Sequence, residues 1–213
     1  MHRPQLRRTS REPRDHVAVS LRDGGLAALR PLDAGHEAAL VEVFGQLSPT
    51  SRANRYLVGL PVLTRSMISA LVAVDGHDHV AWLASVEGRP VGIARYVRTR
   101  PAQAEIALEV ADAHQGRGLG TALLDTITTL ACVNGIRRLE AIVLPDNRPS
   151  LRLLARIGVP LLPCGPTLEG SGPLRLLDPA CVDRAAVVAL AARSRVVQSG
   201  RERAWTTAAR SGH

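Results

Sequence analysis

Apolar residues recur along this chain in two rhythms, and the change between them sets the element order. From Asp33 the spacing is helical: Ala39, Leu40, Val43, Phe44 and Leu47 fall on one stripe behind Asp33 as N-cap. Leu47-Ser-Pro49 ends that helix. Ser51–Val58 predicts a second short helix and Thr64–Val74 a third, capped by Thr64 with Ile68, Leu71 and Val72 on its stripe. The rhythm then becomes that of strands. His79–Val86 and Val91–Arg98 flank the turn Glu87-Gly-Arg-Pro90, which predicts a hairpin, and Ala104–Val110 is a third consecutive strand. Helical spacing returns over Gly116–Val133, through Leu119, Leu123, Leu124, Ile127 and Leu130, and stops at Asn134-Gly135. Arg138–Leu144 predicts a strand and Asn147–Ile157 a helix closed by Gly158. Leu174–Leu177 is expected as a last strand after a Pro/Gly-rich loop.

With a short strand at Leu26–Arg30 in front, the order is strand, helices, three antiparallel strands, helix, strand, helix, strand. This predicts an α+β protein with helices on a mixed, mostly antiparallel sheet. Residues 1–25 are polar, Arg-rich and unpatterned, and read as a flexible arm. Residues 26–177 make the domain. Residues 178–213 hold an amphipathic helix over 182–198 and a basic tail.

Composition narrows the class. At 213 residues with 46% apolar content the chain can bury roughly 70% of its unfolded surface in one core without a metal or disulfide staple. The longest apolar run, Ala185–Ala192, is far below the ~20 residues that span a bilayer. No leading basic and apolar pair marks a secretory signal. Cys132, Cys164 and Cys181 lack CxxC spacing, which suits a reducing, cytoplasmic compartment. The net charge of +8 sits mostly at the ends: residues 26–177 hold fifteen Arg against thirteen acids. The chain has no lysine. With only five aromatics, a stacking platform for nucleic acid is not expected.

The chemistry concentrates in Ala104-Glu-Ile-Ala-Leu-Glu-Val-Ala-Asp-Ala-His-Gln-Gly-Arg-Gly-Leu-Gly-Thr121. A strand runs through a short polar turn into a glycine-rich opening of the longest helix. The glycines let a ligand approach the backbone. The first helical amides lack intrahelical partners and carry the positive end of the dipole. That is an anion site suited to a pyrophosphate, to which Arg117 can add formal charge. Gly116, Gly118 and Gly120 are spaced GxGxG after a strand meander, unlike a dinucleotide fingerprint, and a P-loop needs lysine.

Gln115-x-x-Gly118-x-Gly120 at a strand–helix junction, with Asn147-x-x-Ser150 opening a helix that ends in Gly158, resembles the acetyl-CoA signature of the GNAT N-acetyltransferase superfamily. The segment Leu47-Ser-Pro-Thr-Ser-Arg-Ala-Asn-Arg-Tyr56 resembles bacterial protein lysine acetyltransferases of the Pat type. The resemblance implies a GNAT-like sheet with helices on both faces and acetyl-CoA as co-substrate. It implies that the backbone of Leu108, Glu109 and Val110 holds the pantetheine and polarises the acetyl carbonyl. Gln115, Gly116, Arg117, Gly118, Leu119, Gly120 and Thr121 would cradle the diphosphate, with Asn147 holding the pantetheine arm or the neighbouring strand end. Glu105 matches the general-base Glu of the family, and Glu109, on the same strand face, is the second candidate. The family's thiolate-protonating Tyr is replaced here by Leu154, and Val159 stands where Phe is usual.

The resemblance makes the chain an N-acetyltransferase acting on a primary amine, a protein lysine first. A polyamine or antibiotic amine, or a non-catalytic acyl-CoA-binding module, are the alternatives. Arg52 and Arg55 remain open between acceptor recognition and a structural role. His77 and His79 lack a third placed ligand, so no metal site is expected. His114 reads as a solvated turn residue and Cys132 as core. A homodimer is compatible with the sequence.

Overall fold

What each strand buries explains why the sheet is sandwiched. In the computed structural model, which describes residues 15–195, the strands are β1 (Val17–Ser20), β2 (Leu26–Pro31), β3 (His79–Val86), β4 (Arg89–Arg100), β5 (Gln103–Val110), β6 (Arg138–Val143), β7 (Leu162–Cys164) and β8 (Thr167–Pro173). They form one eight-stranded sheet in the order β1-β2-β3-β4-β5-β6-β8-β7. The helices are α1 (Glu37–Gly45), α2 (Pro49–Tyr56), α3 (Arg65–Val72), α4 (Leu119–Val133) and α5 (Arg148–Arg156). A last helix, α6, is described over residues 184–195.

β3 and β4 lie at the centre and are apolar on both faces. Ala81, Leu83 and Ile93 pack with Leu40, Val43 and Val72 of α1 and α3. Val80, Trp82, Ala94 and Tyr96 face the other way, onto Leu123, Leu124 and Ile127 of α4 and Val187 and Leu190 of α6. Helices therefore cover both faces of a mixed, mostly antiparallel sheet. Local chemistry sets the helix ends: Asp33 caps the 3-10 turn that leads into α1, Ser48 caps α2, Thr64 caps α3 and Asn147 caps α5.

Three expectations change. Val17–Ser20, placed in the arm by their polar surroundings, form β1 and pair with Leu26–Leu29; alternating Val17 and Val19 bury against the core. The Pro/Gly-rich loop is itself the hairpin β7–β8, while residues 174–177 are not a strand. Gly170 explains the hairpin's composition: a Cβ there would sit 1.7 Å from the Pro160 carbonyl oxygen. Finally, α4 begins at Leu119 rather than Gly116, because Gly116 and Gly118 take φ of 76° and 96° and form a turn. The helix expected over 182–198 is described only as far as residue 195.

The feature that makes room for a ligand is a broken pairing. β5 and β6, joined through α4, are parallel neighbours only over Gln103–Glu105 against Arg138–Glu140. Beyond that point β6 follows β8 along its whole length. The β6-facing edge of β5 from Ile106 to Val110 is left without a strand partner.

Candidate active site

The splay opens into a cavity of about 530 Å³ between the end of β5, the turn before α4, and helices α2 and α5. Of the residues expected to hold the cofactor, Leu108, Glu109, Val110, Gln115, Gly116, Gly118, Gly120, Thr121 and Asn147 line it. Gly118 is the N-cap of α4 and offers no side-chain cap. The amides of Thr121 and Ala122 return to the Gly118 carbonyl. Those of Leu119 and Gly120 precede any intrahelical acceptor and carry the helix's positive end.

Two expected residues are placed differently. The Leu119 side chain is buried in the core, 1% exposed, so only its backbone can serve a ligand. The Arg117 guanidinium turns away: its Nε donates to Asp23 at 2.5 Å and its Nη1 lies 2.8 Å from His114 Nδ1.

Gln115 and Asn147 work on the protein itself. Gln115 Nε2 donates to the Val110 carbonyl at 3.0 Å and to Asp112 at 3.0 Å, fixing the turn to the strand end. Asn147 Oδ1 accepts the Ser150 amide at 3.2 Å. Asp112 joins this network to the start of α2, accepting the Ser48 amide and the Ser51 hydroxyl, both at 2.5 Å. Burial opposes its charge, yet these bonds and that from Gln115 hold its carboxyl below the usual range.

Glu105 and Glu109 share a strand face but not an environment. Glu105 is exposed and carries no hydrogen bond or ion pair among the described residues. It sits where β5 and β6 part, in register with Glu140. It also lines a narrower pocket of about 70 Å³. That pocket shares Asn54, Arg55, Leu108 and Asn147 with the larger cavity.

Glu109 is buried. Its Oε2 accepts the Tyr56 hydroxyl at 3.3 Å and lies 3.6 Å from Arg55 Nε, an ion pair too long for a hydrogen bond. Sequence reasoning set Tyr56 aside because it lies outside the α5 motif; its contact with β5 is made through the fold alone. Burial, then the Glu109 carboxylate, pushes its hydroxyl far above the ordinary value. Arg95 completes the cluster, 4% exposed. Burial, aided by Arg55, brings Arg95 down to about 10. Arg95 Nη1 donates to the Leu71 carbonyl at 2.7 Å and faces His79 Nε2 at 3.2 Å.

The remaining candidates have structural surroundings. Arg52 lies over the Phe44 ring at 4.3 Å and donates to the Pro61 carbonyl. Arg55, in contrast, lines both cavities. His77 pairs with Asp78, and His79 Nδ1 donates to the Ala73 carbonyl. Leu154 and Val159 are core residues. No helix among the described residues is long and apolar enough to cross a membrane.

A strand parted from its neighbour beside a glycine-turned helix start is the arrangement that the resemblance to GNAT acetyltransferases implies. Residues 55–159 match the acetyltransferase (GNAT) family. "Acetyltransferase PA5475" of Pseudomonas aeruginosa is 30% identical over 149 residues, covering 68% of this chain and 80% of that protein. "Acetyltransferase Pat" of Mycolicibacterium smegmatis is 31% identical over 147 residues, covering 67% of this chain. The match takes in 44% of that relative's length. Among solved structures, the GNAT domain of S. lividans PAT superposes with a TM-score of 0.70 at 30% identity, covering 75% of this chain and 97% of that one. This chain belongs to the GNAT acetyltransferase family, and its co-substrate is acetyl-CoA.

Proposed function

We propose that the protein moves an acetyl group from acetyl-CoA to the ε-amine of a protein lysine, with Glu105 as general base. The observation that carries this reading is the contrast between the two glutamates. Glu109 is buried and already engaged by Tyr56 and Arg55. Glu105 stands unengaged at the parting of the strands, on the wall of a pocket that shares Asn54, Arg55, Leu108 and Asn147 with the large cavity. Glu140, in register with Glu105 and hydrogen-bonded by Thr99 and Gln103, places a second carboxylate near it, which suits a cationic amine. The likeness of Leu47–Tyr56 to Pat-type enzymes supports a protein acceptor over a small molecule.

In this reading the unpaired edge of β5 at Leu108–Val110 takes the pantetheine as an added strand. A backbone N–H there polarises the thioester carbonyl as negative charge builds on its oxygen. The diphosphate rests on the amides of Leu119 and Gly120. Glu105 removes a proton from the ammonium, directly or through one water, so that the neutral amine attacks the thioester carbon. The C–S bond breaks, the amide forms, and CoA leaves as a thiolate. The nitrogen's second proton passes through water to the thiolate, which Leu154 cannot protonate.

The test is thiol release over a panel of lysine peptides and polyamines. Glu105→Gln is expected to lower kcat by about 100-fold or more with unchanged acetyl-CoA affinity. Full turnover in that variant removes Glu105 from the mechanism, and turnover on polyamines alone removes the protein acceptor.

A further inference from the structure

The charge on the cavity wall does not balance. Its charged residues are Arg22, Arg55, Glu109, Arg152 and Arg156. Glu109 is paired with Arg55, which leaves three guanidinium groups facing the cavity without a carboxylate. Arg152 and Arg156 stand one turn apart on α5, and Arg156 Nη1 reaches Thr121 Oγ1 at 3.1 Å. Arg22 comes from elsewhere, the turn between β1 and β2. Its side chain has no hydrogen bond or ion pair to another described residue. It lies against Gly118, where an added Cβ would meet Arg22 Cγ at 3.5 Å and Nε at 3.8 Å. The exposed Arg22 stem and Nε therefore pass alongside the N-cap of α4.

Arg117, three residues closer in sequence to the helix than His114, is used otherwise. Its contacts to Asp23 and His114 hold its charge outside the cavity lining. The same contacts brace the turn that carries Arg22, and the Arg22 amide donates to the Arg117 carbonyl at 3.0 Å. The hydrogen bond from Arg117 also keeps the Asp23 carboxyl below its usual range, so this brace stays charged through the physiological pH range.

We propose that Arg22 is the cation that closes on the diphosphate of the acyl carrier, and that Arg117 is the residue that positions it. The inference rests on reading the cavity as the acetyl-CoA site. A guanidinium presents paired N–H donors that match two phosphate oxygens. At the start of α4 it adds full charge where the helix supplies only partial charge. The β1–β2 turn thus makes binding depend on the diphosphate, and it separates CoA thioesters from donors that carry pantetheine alone.

Calorimetric titration with CoA, 3′-dephospho-CoA and pantetheine tests this on the full chain. Arg22→Gln is expected to weaken CoA roughly 10- to 100-fold. It should weaken 3′-dephospho-CoA by the same factor and leave pantetheine unaffected. Arg22→Lys recovers part of the loss, and Arg117→Gln loses less affinity than Arg22→Gln. Unchanged CoA affinity in Arg22→Gln overturns the proposal, as does an equal loss with pantetheine or the reverse ranking of the two arginines. A loss that disappears with 3′-dephospho-CoA reassigns Arg22 to the 3′-phosphate and overturns it too. Should the wild-type protein itself fail to bind CoA, the cavity reading falls, and the Arg22 assignment with it.

Discussion

Glu105 and Glu109 are the same residue type on one strand face, four positions apart, yet one is exposed and the other buried. Glu109 neutralises part of a buried cationic cluster, since Arg95 and Arg55 both stand close to it. Breaking such a pair leaves an unmatched buried charge, so Glu109→Gln should lose about 3 kcal/mol of stability. Glu105→Gln, on the surface, should stay within about 0.5 kcal/mol. Urea denaturation of the two variants separates them. Cys181 shows the same dependence on surroundings. Burial, then the Asp125 carboxylate, pushes its thiol up to about 12. Its thiolate fraction at pH 8 falls on the order of a thousandfold below that of an ordinary thiol. Iodoacetamide labelling read by peptide mass spectrometry should find Cys181 among the last sites modified.

At the scale of elements, two attachments hold the layers around the site. Asp125, wholly buried in α4, accepts the Cys181 amide at 2.7 Å and the Arg184 guanidinium at 2.9 and 2.6 Å, so α6 is fastened at its start. Asp125→Ala should cost about 3–5 kcal/mol and raise hydrogen exchange in α6. The β7–β8 hairpin rests on the close approach of Gly170 to Pro160. Gly170→Ala forces backbone apart and should cost about 3 kcal/mol, read as a lower melting temperature. The sequence hid this hairpin because the residues that permit close packing, Gly and Pro, are also those of loops. It hid β1 because four residues are too few to show a period against polar neighbours. The Asp33 and Thr64 caps are legible, because a cap is a contact between residues a few positions apart, but the Ser48 cap of α2 reads as the end of the helix before it, with α2 expected over Ser51–Val58.

For the molecule as a whole, several titrating groups lean the same way. Asp75 is held below the usual carboxylate range by the amides of His77, His79 and Asp78 against the pull of burial. Asp112 is held down by its bonds to Ser51, Ser48 and Gln115. A carboxyl depressed in the folded state stabilises fully above its unfolded value of about 4, and that contribution is lost as pH falls through the folded value. His79 is depressed by burial and by Arg95. The unfolded chain then binds its proton more readily, so stability also declines as pH drops below about 6.5. Denaturation midpoints should hold steady from pH 8 to 7, slip slightly toward pH 5, and fall steeply below pH 4. Because Asp112 ties α2 to the turn before α4, the acid transition should loosen α2 and that turn together.

Periodicity and caps in the sequence determine the helices, the central meander β3–β4–β5 and the glycine turn that opens α4. All are local, written in residues within a few positions of one another. The resemblance of that turn to the GNAT signature makes acetyl-CoA legible as the co-substrate. Tertiary structure alone decided where β5 and β6 part, which glutamate is buried, and which arginine faces the cavity. Those outcomes depend on Tyr56, Asp23 and Arg22 meeting partners dozens of residues away. Only packing brings such groups together, because no local spacing records a contact made across the sheet.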